Sequence, residues 1–290
     1  MRGNFRLTRL GTHAGFAVVA VAAITLAARL PDPASAPAND PPLPQLPFAV
    51  SAVSASSVST ALSSLGQPQA PPPDWHEFYF TRAAYSSGGS FFRRRASWAT
   101  DYPKADRQFL TVLKRLTNLD AYEGEHAVRL TDPELRRFPF LYGVEVGYMD
   151  MSPEEVSSLR SYLDAGGFLV IDDFWGTREW LQFEYQMRLV FPDRQIIDLE
   201  LDHPVFNTYY EIDEILQVPA YGRFRTYEQD GFVPYAKGIE DDTGRLMVMI
   251  NWNTDLGDAW EWAEQPDYPL QFSTYAYQMG VNMIVYAMSH

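Results

Sequence analysis

Asp172-Asp173 stands where an apolar run, Phe168-Leu169-Val170-Ile171, stops. Neighbouring carboxylates raise each other's pKa and can share a proton or a cation. Adjacent side chains on a strand point to opposite faces, so both reach one cleft only if the strand has already turned. The bland alternative is local: one carboxylate caps the helix that begins near Thr177 and the other bonds a nearby amide. His203, in Asp202-His203-Pro204, adds an imidazole just after another apolar stretch. Histidine serves as a ligand or an acid/base group, but a lone one also shapes a proline turn by a hydrogen bond. Asp172, Asp173 and His203 form the candidate catalytic set, and their convergence is what the structure must decide.

A second group could bind a ligand. Trp98, Asp101 and Tyr102 precede a helix. Either Asp101 caps that helix while the rings pack at its entrance, or the rings form an aromatic wall and Asp101 contacts ligand. Arg94 lies in Arg93-Arg94-Arg95, just after Gly88-Gly89. Glycine and arginine so placed can hold an anion, although no dinucleotide or phosphate-loop pattern accompanies them. Asp255 belongs to Asn253-Thr254-Asp255-Leu256-Gly257-Asp258-Ala259-Trp260-Glu261, a stretch rich in oxygen ligands. Its spacing is not that of an EF-hand loop. Asp255 and Asp258 join Asp172 and His203 around a divalent ion only if the loops meet. The simpler reading is a solvated acidic loop with Trp260 and Trp262 packed beneath. No metal-ligand set stands out, and the sequence specifies no cofactor.

These residues need elements to hold them. Ser152-Pro153-Glu154-Glu155 is a helix start, with Ser152 as cap, Pro153 at the first helical position and Glu155 completing a capping box. Val156, Leu159, Tyr162 and Leu163 form its apolar face, and Gly166-Gly167 ends it. The Phe168–Ile171 run then reads as a buried central strand. Other strands are expected at 76–80 with the residues that follow, and at 127–130, 138–144, 196–201 and 246–253, and helices after Pro103 and over 177–191 and 275–288. Residues 211–246, rich in Gly and Pro, read as irregular. Alternation of strand and helix implies an α/β fold: a mostly parallel sheet with helices on both faces.

The chain has 290 residues, 46% of them apolar, enough for a sizeable core, and no cysteine. Disulfides, thiolate zinc sites and a cysteine nucleophile are therefore excluded. The net charge is −14, and residues 71–290 alone carry −16. Such a surface repels nucleic acid and favours cations or basic partners. Residues 1–36 read as a signal peptide or uncleaved N-terminal anchor: Arg2, Arg6 and Arg9 precede an uncharged run from Ala14 to Ala28, and Ala34-Ser35-Ala36 resembles a cleavage site. A periplasmic or secreted domain is expected, with membrane contact only through that segment. Residues 37–74 form a Pro/Ala/Ser linker, read as disordered, and the folded domain occupies 75–290.

Trp98-Ala99-Thr100-Asp101-Tyr102-Pro103-Lys104-Ala105-Asp106, Thr131 to Tyr142, Leu159 to Phe168, Asp172-Asp173, Asp202-His203-Pro204-Val205-Phe206 and Gly280-Val281-Asn282 follow one another along the chain. Together these phrases resemble the family known as DUF4159, a domain of unknown function. The resemblance covers 75–290 and implies a three-layer flavodoxin-like fold, similar to class I glutamine amidotransferases. It supplies no activity. Glutaminase chemistry needs a cysteine thiolate, which this chain lacks. The leading expectation is a non-catalytic binding or assembly module of the bacterial envelope, with a protein partner there. The alternatives are a metal-assisted or acid/base hydrolase using Asp172, Asp173 and His203, and a carbohydrate or small-ligand binder using exposed tryptophans.

Overall fold

The computed structural model describes residues 75–88 and 97–290. The export segment, the linker and Arg93-Arg94-Arg95, with the anion site proposed around Arg94, lie outside the described residues. β4 (Phe168–Asp172) is the centre of the sheet, with all five residues buried. It pairs in parallel with β3 (Phe140–Val144) on one side and β7 (Leu246–Trp252) on the other. β1 (Thr81–Ala84) and β2 (His126–Arg129) extend the parallel sheet beyond β3. β6 (Tyr235–Glu240) runs antiparallel to β7, and β5 (Ile197–Asp198) antiparallel to β6. The seven strands lie in the order β2-β1-β3-β4-β7-β6-β5.

Side-chain alternation splits the core in two. Phe140, Tyr142, Phe168 and Val170 face one side, with Phe109 and Leu113 of α1 (Lys104–Leu116). Trp260 of α4 (Leu256–Glu261) and Met279 and Met283 of α5 (Leu270–Ser289) join them. Leu141, Leu169 and Ile171 face the other side, with Leu159 and Leu163 of α2 (Pro153–Asp164) and Phe183 and Met187 of α3 (Gly176–Val190). A central strand apolar on both faces is what a sheet covered by helices on both sides requires. Each large apolar side chain so buried contributes about 1.5–3 kcal/mol. Among the described residues no helix is long and apolar enough to cross a membrane.

Local signals explain the clearest elements. The Ser152 hydroxyl accepts the Glu155 amide, and the Glu155 carboxylate accepts the Ser152 amide, so the capping box is complete. The other Glu155 oxygen accepts the Ser86 amide at 2.8 Å, which ties the exit of β1 to α2. Gly166, at φ 104°, ends α2 in a conformation that glycine adopts without a Cβ penalty.

Other elements differ from expectation. The first strand starts later than His76, at Thr81, and runs to Ala84. Arg82 makes that segment read as polar, yet its side chain is fully buried because Asp106 accepts its guanidinium at 2.7 and 2.9 Å. Residues 235–240, expected to be irregular, form β6, where Lys237 and Gly238 break the apolar alternation. The strand expected over 196–201 shrinks to Ile197–Asp198, an exposed edge pair. The stretch expected as a solvated acidic loop is α4, capped by Asp255, whose carboxylate accepts the Asp258 amide at 2.8 Å. Asp255 is 3% exposed and Trp260 1%.

Candidate functional site

β3, β4 and β7 end at one edge of the sheet, and each turns sharply there. Glu145, Asp173 and Asn253 have φ of 54°, 48° and 62°, and Asp101, in the connection from β1 to α1, has φ of 59°. For residues with a Cβ these are left-handed conformations of appreciable cost, and they cluster where chains converge. Val144 and Asp172 are register partners, so Glu145 and Asp173 leave adjacent strands at one level; the Glu145 amide bonds the Asp173 carbonyl at 3.0 Å.

Asp172 and Asp173 divide their work. Asp172 is fully buried. Its Oδ2 accepts from the Tyr142 hydroxyl at 2.5 Å and from the Leu256 and Gly257 amides at 2.9 and 3.1 Å. It therefore anchors the start of α4, not the helix near Thr177. Its Oδ1 is buried without a hydrogen-bond partner. Asp173 turns toward the cleft, where its Oδ1 accepts the Trp175 indole N–H at 3.1 Å.

The cleft has a volume of about 310 Å³, and Asp101, Glu145, Asp173, Glu179, Asp255 and Asp258 are among the residues that line it. Carboxylate oxygens of Asp101, Asp173 and Asp255 all lie within 4.8 Å of one another. So do those of Asp101, Asp258 and Glu261. Asp101 Oδ2 is buried and no N–H or O–H donor reaches it. A Cβ on Gly257 would meet Asp101 Oδ2 and the Tyr142 hydroxyl at 3.1 Å and Asp255 Oδ1 at 3.4 Å, so the missing side chain lets these groups converge.

Burial pushes the Asp101, Asp173 and Asp255 carboxyls well above the usual carboxylate range, and each is raised further by its acidic neighbours. Asp258 is also raised, chiefly by burial. Asp172 is pushed up to about 7 by burial, against the hydrogen bonds that favour its charged form. One cation, Arg223, lines the cleft itself, as does its partner Glu228. Arg82 is bound to Asp106, Arg223 pairs with Glu228 at 3.1 Å, and Lys104 sits 3.6 Å above the Trp262 ring.

A family model described as "Domain of unknown function (DUF4159)" matches residues 80–288. The chain belongs to the DUF4159 family. The match contains all seven strands and every carboxylate named above. No characterised protein matches the chain.

In this DUF4159 domain several expected site residues do other work. His203 does not join Asp172. Its ring lies 5.8 Å from that of Tyr286, which in turn lies 5.7 Å from Phe168 at the start of β4. The Tyr286 hydroxyl accepts the amide of Leu246, where β7 begins. His203 thus sits at the opposite end of the strands from Asp172. Its Nδ1 accepts the Val205 amide at 3.2 Å, and burial lowers its pKa, so it shapes the Pro204 turn as a neutral ring. Asp101 does not cap α1: Pro103 holds the cap position and no side-chain bond is made there. Trp98 is 5% exposed, packs edge-on against Tyr102 and faces another hollow, so the two form no wall to the acidic cleft. Trp175 and Trp260 are buried, while Trp180 packs at a tilt against Trp252 and Trp262 stacks on Tyr221. No ring of open tryptophan faces surrounds the cleft among the described residues.

Some site residues were not singled out from sequence. Glu145 could have been found by applying to β3 the strand-end argument used for β4. Glu261 lies in the acidic stretch three residues beyond Asp258, one helical turn away. Glu179 lies in α3 and gave no separate signal; its carboxylate accepts the Trp175 amide at 2.7 Å and the Gln229 side chain at 2.5 Å.

Proposed function

We propose that this DUF4159 protein is an exported envelope binding module, non-catalytic in itself, whose acidic cleft takes a hard divalent cation. One observation carries the reading: Asp101, Asp173 and Asp255 present carboxylate oxygens within 4.8 Å of one another, and Asp101 Oδ2 is buried without a donor. Buried carboxylates this close need protons or a cation to coexist. An all-oxygen donor set suits calcium, magnesium or manganese. The bound cation then offers its remaining coordination positions to an oxygen-rich ligand or a partner's side chain.

Two further observations support the scaffold and the absence of catalysis. The order β2-β1-β3-β4-β7, all parallel, matches the flavodoxin-like order, in which ligands sit beyond the carboxyl ends of the strands. That agrees with a scaffold similar to class I glutamine amidotransferases, without their cysteine. The hydrolase alternative needed His203 beside one aspartate of the Asp172-Asp173 pair, and His203 lies at the opposite strand end from both. The envelope location rests on the N-terminal Arg-rich and apolar segment.

The test is a thermal-shift titration of metal-free protein with Ca²⁺, Mg²⁺ and Mn²⁺, repeated on Asp255→Asn. A cation at about one hundred times its Kd should stabilise the native state by about 2.7 kcal/mol. Wild type should show a saturable rise in Tm and Asp255→Asn should lose most of it. No rise with any of the three ions would overturn the reading.

A further inference from the structure

We propose that the cleft binds a pair of divalent cations bridged by the Asp101 carboxylate, one held with Asp173 and Asp255 and the other with Asp258 and Glu261. This rests on the cation reading of the same cleft and extends it to a two-ion centre.

The two groups of converging carboxylates share a single member, Asp101. A carboxylate has two oxygens and about four lone-pair sites, so one side chain can serve two ions. Asp101 comes from the connection between β1 and α1. Asp173 and Asp255 approach from the exits of β4 and β7, whereas Asp258 and Glu261 lie one turn apart on α4. Asp258 accepts the Tyr221 amide on Oδ2 and the Trp262 indole on Oδ1, one bond to each oxygen, which leaves lone pairs on both. A carboxylate oxygen of Glu261 lies within 4.8 Å of one of Asp101. A cation or a shared proton between two such groups relieves their repulsion.

An independent observation also points to a ligand here. Asp101 Oδ2 and Asp172 Oδ1 are both buried with no hydrogen-bond partner. Of the two, Asp101 lines the cleft and belongs to both carboxylate groups. Buried polar atoms are satisfied in the great majority of native sites, and those that are not call for an explanation such as an ion. A cation against Asp101 Oδ2 supplies the missing partner. Two ions sharing a carboxylate lie about 3.5–4 Å apart, as in established two-metal sites. That separation gives the pair a signature that scattered surface ions lack.

The experiment is a Mn²⁺ titration of the metal-free full chain, read by calorimetry for stoichiometry and by electron paramagnetic resonance for coupling between ions. The same measurements are made on Glu261→Gln, with circular dichroism checking its fold. Wild type should bind two Mn²⁺ and give an exchange-coupled spectrum. Glu261→Gln should bind one and give the spectrum of an isolated ion. One Mn²⁺ in wild type would overturn the pair and leave the single-cation reading standing. No Mn²⁺ in wild type would overturn both. Two coupled Mn²⁺ in folded Glu261→Gln would overturn the assignment of Glu261 to the second position.

Discussion

At the scale of single residues the neighbours Asp172 and Asp173 have separate tasks. Asp172 is a structural anchor, whose Oδ2 accepts from Tyr142, Leu256 and Gly257. Truncation would leave those buried donors unpaired, and each such loss costs about 1–3 kcal/mol. Asp172→Ala should therefore lower Cm in urea at unchanged m, and Asp172→Asn should lose less, because an amide oxygen still accepts; equal losses would contradict the anchor role. Asp173 and Asp101 instead face the cleft. Their types were legible in the sequence, but their directions were not. The φ of 48° at Asp173 and 59° at Asp101 set where the carboxylates point, and nothing in the neighbouring residue types announces those turns. For His203 the sequence offered both an acid/base role and a turn-shaping one, and the Val205 amide donating to its Nδ1 agrees with the second; the motif does not say which end of the strand that turn occupies.

At the scale of elements, those fixed by local chemistry were the readable ones. The α2 capping box, the Gly166 stop and the Phe168–Ile171 run each declare themselves within a few residues. β6 and α4 did not. β6 carries Lys237 and Gly238 and is held by its partner β7; α4 spans six residues, too short for a periodic signal. β1 was legible only as the continuation of 76–80, because Arg82 interrupts the apolar run and reads as exposed until Asp106 is known to meet it. That buried pair also positions the site, because Arg82 Nη1 donates to the Thr100 carbonyl at 3.0 Å, just before Asp101. Asp106→Asn breaks the pair while keeping the shape. It should destabilise by about 3–5 kcal/mol, the usual cost of stranding a buried charge. Chemical denaturation measures this, and a loss below about 1 kcal/mol would contradict the account.

At the scale of the whole molecule, the acidic cleft makes stability depend on pH and on cations together. Asp101, Asp173 and Asp255 have folded pKa values raised well above the ordinary range, and that of Asp172 is about 7. A raised carboxyl binds more protons folded than unfolded. Its contribution is fully present below the unfolded pKa, about 3.9 for Asp, and is lost as pH rises through the folded value. In a chelator, Tm should therefore fall between about pH 5 and pH 8, and Ca²⁺ or Mn²⁺ at the upper pH should restore it. A Tm that rose over that range without metal would contradict the charge account. The net charge of −14 adds to this by drawing cations toward the molecule.

The most direct measurement is an anomalous difference map from crystals grown with Mn²⁺. The account predicts a peak in the cleft between Asp101, Asp173 and Asp255, at about 2.0–2.6 Å from their carboxylate oxygens. Ordered Mn²⁺ only at the outer surface, with the cleft carboxylates hydrogen-bonded to one another through protons, would contradict it.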